Sequence, residues 1–465
     1  MKKIYVFIIA TLLSINLNYS QTSVANKYAM TISEKDLKDH LYIYASDEFE
    51  GRDTGDPGQK KAVEYIRKFY QSIKISAGDP DKDYFQPMSL KIRQRRGQPL
   101  KEVETENVIA IVEGEEKADE YVVITAHLDH VGVNNDGEIY NGADDDGSGS
   151  VALLELAEAF NEAKKNGDGP KRSIIFLHVT GEEKGLLGSK YYTDEDPIYP
   201  LENTVVNLNV DMIGRIDPTR EAKNRDYIYL IGTDHDSQDL HDLSEKTNLE
   251  SVNMTLDYRF NDKNDPNRFY YRSDHYNFAK NGIPVIFYFS GTHEDYHQPT
   301  DTPDKIEYDL LEMRTKLIFH TAWNIANREE RLVMDEKPED ANDTYKHTLE
   351  EIKSFEGIYK TEAFPLQFKF YEAYGKLSMV PLGGSNEEAL ILENNGKNKF
   401  KSEMAGVGVE FKIDVTTTRN EVKNVSAKGM NVQIEEKTKK AKTMVLNISG
   451  NEIIFKEVLE ETKEE

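Results

Sequence analysis

His127, Asp129 and His130 stand directly behind the apolar run 121–126, Glu182 and Glu183 behind 173–180, and Asp211 behind 204–210. Between the first two lies the stretch 141–149, with Asp144, Asp145 and Asp146 in a row. Much later come Asp295, Tyr296, His297 and Asp301. Taken singly, each motif has an ordinary structural reading. A histidine at a strand end is usually hydrogen-bonded, a Glu-Glu pair is usually a solvated face, and three aspartates usually make an acidic turn. Taken together they do not. Several carboxylates brought to one crevice cost several kcal/mol each to desolvate unless cations neutralise them. The chain has no cysteine, so any metal must be held by His, Asp and Glu. Nitrogen and oxygen donors without sulfur suit Zn²⁺ at about 2.0–2.2 Å, and Mn²⁺ or Co²⁺ fit the same set.

Such a site needs elements that bring distant motifs to one place. From about 25 to 328, short apolar runs alternate with helical periodicity, which predicts an α/β layer fold. Strands are expected at 107–112, 121–126, 173–179, 204–210, 227–231 and 283–289, and helices at 59–72, 148–165 and 309–327. In open α/β sheets, ligands collect outside the carboxyl ends of strands. Three motifs arrive there. Beyond a charged linker at 331–345 the apolar period becomes two, at Leu366, Phe368 and Phe370 and again at Val407, Val409, Phe411, Ile413 and Val415. This predicts an antiparallel all-β C-terminal domain over 346–465, a small barrel or sandwich, after a catalytic domain over 21–330. The fold class is therefore a three-layer domain with a central, mostly parallel mixed sheet flanked by helices, followed by a small antiparallel domain.

With 465 residues, the chain suits one large and one small domain. Lys and Arg total 58 against 84 Asp and Glu, a net charge of -26. So acidic a chain is a poor ligand for nucleic acid. Lys2 and Lys3, a ten-residue apolar stretch at 4–13 and a small-residue exit at Ser20 read as a signal peptide over residues 1–20. That stretch falls far short of the about 20 residues that span a bilayer. The expectation is an exported protein without a membrane anchor after cleavage. Absence of a G-x-S-x-G elbow disfavours a serine hydrolase. Asp144, Asp146, Ser148, Gly149 and Glu155 mimic a calcium-binding EF-hand loop, but no helix enters it.

The motifs His127-x-Asp129, Gly142 to Gly149, Gly181-Glu182-Glu183, Asn209-x-Asp211-Met212 and Tyr296-His297 resemble the secreted di-zinc aminopeptidases of metallopeptidase family twenty-eight. The segment 46–52 and Ser273, Asp274, His275 and Phe278 are similar to that family as well. The resemblance spans about residues 35–325. It implies two Zn²⁺ bridged by Asp145, with His127 and Asp211 completing one shell and Glu183 and His297 the other. It also implies Asp129 orienting His127, Glu182 as general base, Tyr296 steadying the developing oxyanion, and a cis peptide at Asp145–Asp146. The implied substrates are the N-termini of peptides or proteins. Two other readings remain: a single-zinc enzyme like glutaminyl cyclase, and a non-catalytic binding protein on a peptidase scaffold. Of the other histidines, His178 reads as a satisfied core residue, while His130, His275 and His293 are placed to support the site.

Overall fold

The computed structural model describes residues 24–79, 83–92, 100–263, 265–335, 347–361, 367–373, 375–382, 390–394, 398–402, 407–416, 439–448 and 451–457. The signal peptide read at 1–20 and the linker from 336 onward lie outside them. The chain forms two compact units, divided between Asp335 and Glu336. Among the described residues no helix is long and apolar enough to cross a membrane.

The first unit is built on a nine-stranded mixed sheet. Its strands are β1 (Ser76–Ala77), β2 (Phe85–Ile92), β3 (Lys101–Val112), β4 (Lys117–His127), β5 (Arg172–Val179), β6 (Thr204–Val210), β7 (Tyr227–Ile231), β8 (Thr255–Asp257) and β9 (Val285–Phe289). The order is β1-β3-β5-β4-β6-β9-β7-β8, with β2 paired to β3. The central strands β5, β4, β6 and β9 run parallel, whereas β1, β2 and β5 pair with β3 antiparallel. β5 and β6 are buried at every residue, as parallel strands covered on both faces must be.

Period-two alternation then divides the side chains between two cores. Val108, Ala110, Val122, Ile124, Ile174 and Phe176 face one core, with residues of the helices α1 (Glu34–Tyr44), α2 (Pro57–Ile73), α3 (Gly149–Lys165), α4 (Gln238–Glu250) and α5 (Tyr308–Asn327). Ile109, Ile111, Val123, Ile175 and Leu177 face the other, where Tyr192, Phe278 and Ile283 cover them. The sheet is therefore a three-layer centre, and the expected fold class holds. All six expected strands and three expected helices form, while β1, β2, β8, α1 and α4 are further elements.

The second unit is a closed barrel of eight antiparallel strands, running from Gly357–Lys360 to Asn451–Glu457. Of the two architectures expected, the barrel forms because the first strand pairs with the last, Tyr359 opposite Glu457 and Lys360 opposite Lys456. Phe355, Tyr359, Phe370, Leu377, Phe400 and Phe455 fill it.

Glu155 lies on the buried face of α3 and is 4% exposed. Burial, then the nearby Asp36 and Glu158, pushes its carboxyl up to about 8. The nearest basic group, His40 Nε2, is 3.7 Å away, and burial lowers that ring's affinity for a proton. We read Glu155 as neutral, since both shifts favour an uncharged pair over an ion pair. Between the unfolded carboxyl's pKa of about 4.3 and the folded value, the native state holds a proton that the unfolded chain has released. Stability should therefore fall across that window as pH rises. Glu155→Gln should match the wild type near pH 4 and exceed it by about 2–4 kcal/mol at pH 9, measured by chemical denaturation at both pH values. An unchanged difference between the two would refute this assignment.

Candidate metal centre

Every motif that ends a strand is held by carboxylates or main-chain clamps that take no part in the central cluster. β4 delivers His127, whose ring Nδ1 lies 3.0 Å from the main-chain oxygen of Asp129. A carbonyl can only accept, so Nδ1 carries the proton and Nε2 is left with its lone pair facing the site. Orientation thus passes through the Asp129 main chain. Its carboxylate Oδ1 is 3.9 Å from the ring, and the carboxylate serves other segments: Oδ1 accepts from the Glu182 N–H at 3.1 Å and Oδ2 from the Thr54 hydroxyl at 2.7 Å. Asp129 therefore couples the histidine strand to the Gly181–Glu183 turn.

The three consecutive aspartates separate by role. Asp144 accepts from the Gly214 N–H at 2.6 Å and meets His293 Nε2 at 3.1 Å. Asp146 accepts from the N–H groups of His127, Gly149 and Met212 at 3.0, 3.0 and 3.2 Å, joining β4, α3 and the end of β6. Between them Asp145 points into the cluster, and the Asp145–Asp146 peptide is cis. From the opposite side, Asp301 Oδ2 accepts from the N–H groups of Asp144 and Asp145 at 3.0 and 3.2 Å. Arg52, fully buried, donates to the main-chain oxygens of Leu128, Tyr44, Asn141 and Gly142.

Asp145 divides the cluster into two groups. Its Oδ1 is 3.1 Å from His127 Nε2, which lies 3.7 Å from Asp211 Oδ1. Its Oδ2 is 2.9 Å from His297 Nε2 and 3.6 Å from His130 Nδ1, and both rings approach Glu183 Oε1, at 3.1 and 3.0 Å. Within each group the donor atoms lie within 4.8 Å of one another. Asp145 Oδ2, Glu183 Oε1 and His130 Nδ1 are buried yet make no hydrogen bond. Such orphaned atoms, aimed at a common point rather than at each other, fit a divalent cation.

Charge reinforces this. Burial draws His297 toward the neutral form, but the Asp145 and Glu183 carboxylates beside it outweigh burial and push the ring up to about 10. With a cation bound, His297 would give up that proton and offer its ring nitrogen as a donor. Asp211 is held from behind, since Ser273 donates to its Oδ2 at 2.6 Å and in turn accepts from Asn209 at 2.8 Å. Burial raises Glu182 well above the usual carboxylate range. Glu182 lines one pocket with His127, Asp145, Asp211 and Tyr296. The Tyr296 ring stacks on His297 at 4.0 Å. Their loop is anchored by Asp295, which accepts from Thr300, Lys305 and Arg215 at 2.6, 2.6 and 2.9 Å. His297 itself sits in the left-handed region, at φ 54°, as does Met212 at φ 59°.

The structure thus brings His127, Asp145, Asp211, Glu182, Glu183, Tyr296 and His297 to one crevice and keeps Asp129 behind it. His130 is closer to the cluster than its motif suggests, while His275 stacks on Phe287 at 4.7 Å. His178 meets the Tyr70 hydroxyl at 2.7 Å inside the core. Arg52 and Asp301 were not assigned roles by motif. A buried arginine close before a helix, and an aspartate four residues beyond His297, are the signals that mark them.

Residues 107–322 match the model of peptidase family M28. A probable leucine aminopeptidase of Arthroderma benhamiae is 30% identical over 230 residues, 47% of this chain and 57% of that one. Aminopeptidase YwaD of Bacillus subtilis is 26% identical over 238 residues, 49% of this chain and 46% of its own. A probable glutamate carboxypeptidase of Arabidopsis thaliana is 37% identical over 106 residues, 23% of this chain and 14% of its own. The chain spans about half or less of the length of these curated relatives. Among solved structures, the LapA aminopeptidase of Legionella pneumophila shares the fold, with a TM-score of 0.50 and 21% identity over 66% of this chain and 75% of that one.

Proposed function

We propose that this protein, whose residues 107–322 match peptidase family M28, is an exported zinc aminopeptidase, hydrolysing the first peptide bond of peptides or proteins. The observation that carries the reading is the division of Asp145, whose two oxygens face two separate donor groups with Glu182 beside them. Asp145, His127 and Asp211 would hold one zinc ion, and Asp145, Glu183 and His297 the other. When bound, zinc at this centre would lower the pKa of a water and polarise the scissile carbonyl.

The remaining chemistry belongs to the chain. Glu182 takes the proton of the attacking water and passes it to the leaving amine. Its burial supports this role, because a desolvated carboxylate is a better base. Tyr296, with its hydroxyl kept protonated by burial, donates toward the oxygen that gains charge as the carbonyl is attacked. A free α-ammonium suits a crevice lined by Glu182, Asp145 and Asp211. The glutaminyl cyclase reading needs a single ion, and the completeness of both donor groups favours two. Export rests on the basic and apolar start of the chain, Lys2, Lys3 and residues 4–13.

The test is a panel of aminoacyl anilides with free and acetylated N-termini, assayed with metal analysis of the same preparation. Free amines should be cleaved at least about 10²-fold faster, the scale of an ion pair of about 3 kcal/mol lost in a partly buried site. Equal rates on both would sink the aminopeptidase assignment while leaving the metal centre standing.

A further inference from the structure

The two donor groups are unequal. One has three residues, His127, Asp145 and Asp211; the other has four, His130, Asp145, Glu183 and His297. Three protein donors leave a position open, as catalytic zinc sites do, whereas four close a tetrahedron, as structural sites do. Donors about 2.0–2.2 Å from a tetrahedral ion stand about 3.3–3.6 Å from one another. In the four-residue group the measured separations are 2.9 and 3.1 Å from His297, and 3.6 and 3.0 Å from His130. A modest adjustment around an ion satisfies all four.

His130 is also built for the position. Its ring is fully buried, and neither ring nitrogen has a hydrogen-bond partner. Nδ1 is 3.0 Å from Glu183 Oε1 but out of line for a hydrogen bond, so the two atoms address a shared point. The main-chain N–H of His130 donates to the main-chain oxygen of Arg52 at 3.2 Å. Gly142, at φ +56°, lies so close that a Cβ there would come within 2.6 Å of the His130 ring. The absence of a side chain at Gly142 is what admits the imidazole. A buried, orphaned and preorganised histidine has no role in the proposed proton transfers.

We propose that His130 is a protein donor to the Glu183–His297 half of the centre, so that this half fills first and holds its ion more tightly than the His127–Asp211 half. This rests on the two-ion reading above. The chain then carries one retained ion, held on four protein groups, and one exchangeable ion beside Glu182. Removal of the second by a mild chelator leaves a one-metal protein rather than an apoprotein.

The full chain, stripped with a strong chelator, is tested by Zn²⁺ binding isotherms against a competing chelator. The wild type should show two unequal steps. His130→Ala and His130→Gln should weaken the tighter step by at least about tenfold, with the weaker step unchanged. Circular dichroism checks folding of both variants. Independently of any variant, ¹⁵N-histidine spectra of the wild type should show the first equivalent of Zn²⁺ moving the His130 and His297 ring signals, and the second moving that of His127. Variants with both steps intact, or a first equivalent that moves His127 and leaves His130 untouched, overturn the proposal. A chain that takes one ion only, seen at His130 and His297, removes the two-ion reading but supports the four-donor seat. A chain that takes none overturns both.

Discussion

Glu182→Gln is expected to bind its full complement of metal and to lose about 10²–10⁴-fold in kcat, the usual worth of general base catalysis. The geometry separates this residue from its neighbour. Glu183 Oε1 lies within 3.1 Å of both His130 and His297, whereas Glu182 belongs to neither donor group and lines the pocket beside them. An amide at 182 preserves size and hydrogen-bonding reach but accepts no proton, so water attack and amine departure both suffer. Glu183→Gln should behave differently, with metal content falling because a neutral amide replaces a charged oxygen donor. Metal analysis and single-turnover kinetics on both variants distinguish the two roles. A metal-replete Glu182→Gln enzyme with wild-type kcat would remove Glu182 from the mechanism, and little change in either variant would mean a solvated pair.

Arg52→Met should destabilise the full chain by more than about 4 kcal/mol and weaken metal binding without touching a donor. The guanidinium donates to the oxygens of Leu128, Tyr44, Asn141 and Gly142, at 3.2, 3.2, 2.7 and 2.8 Å. Each acceptor left buried and unpaired costs about 1–3 kcal/mol. Loss of the desolvated charge returns part of that, because a buried cation is itself unfavourable. Three of the four carbonyls flank His127 and the aspartate loop, so their release loosens the cluster. Urea denaturation of the full chain and a Zn²⁺ isotherm check both effects. A midpoint within error of the wild type would show that water replaces the guanidinium.

The strand-end motifs were legible because a parallel sheet forces them together. A continuous apolar run such as 204–210 must be a doubly covered strand, and the polar residue after it must emerge at the carboxyl edge. Asp211 follows from that logic alone, as do His127 and Glu182. Helix α3 was legible from its periodicity, down to Lys164 and Lys165 in its last turn. Three things were not. β2 alternates buried and exposed residues, but its pattern is short and includes Pro87, which hides a strand. The distinction between the Asp129 carboxylate and its carbonyl was not legible either, since sequence identifies a side chain and not which atom of the residue faces a ring. The position of His130 depends on where Gly142 leaves room, a contact between loops that no linear spacing encodes.

The left-handed backbone at His297 and Met212 places two large side chains where glycine is the easiest residue to accommodate. An L-residue there costs on the order of 1 kcal/mol. Any engineering campaign that ranks substitutions by thermostability will therefore be drawn toward glycine at these positions, and at 297 it would trade an imidazole in the cluster for a relaxed peptide. Heat-selected variants of this scaffold need a catalytic counter-screen from the first round, because here the two objectives pull on the same dihedral angle.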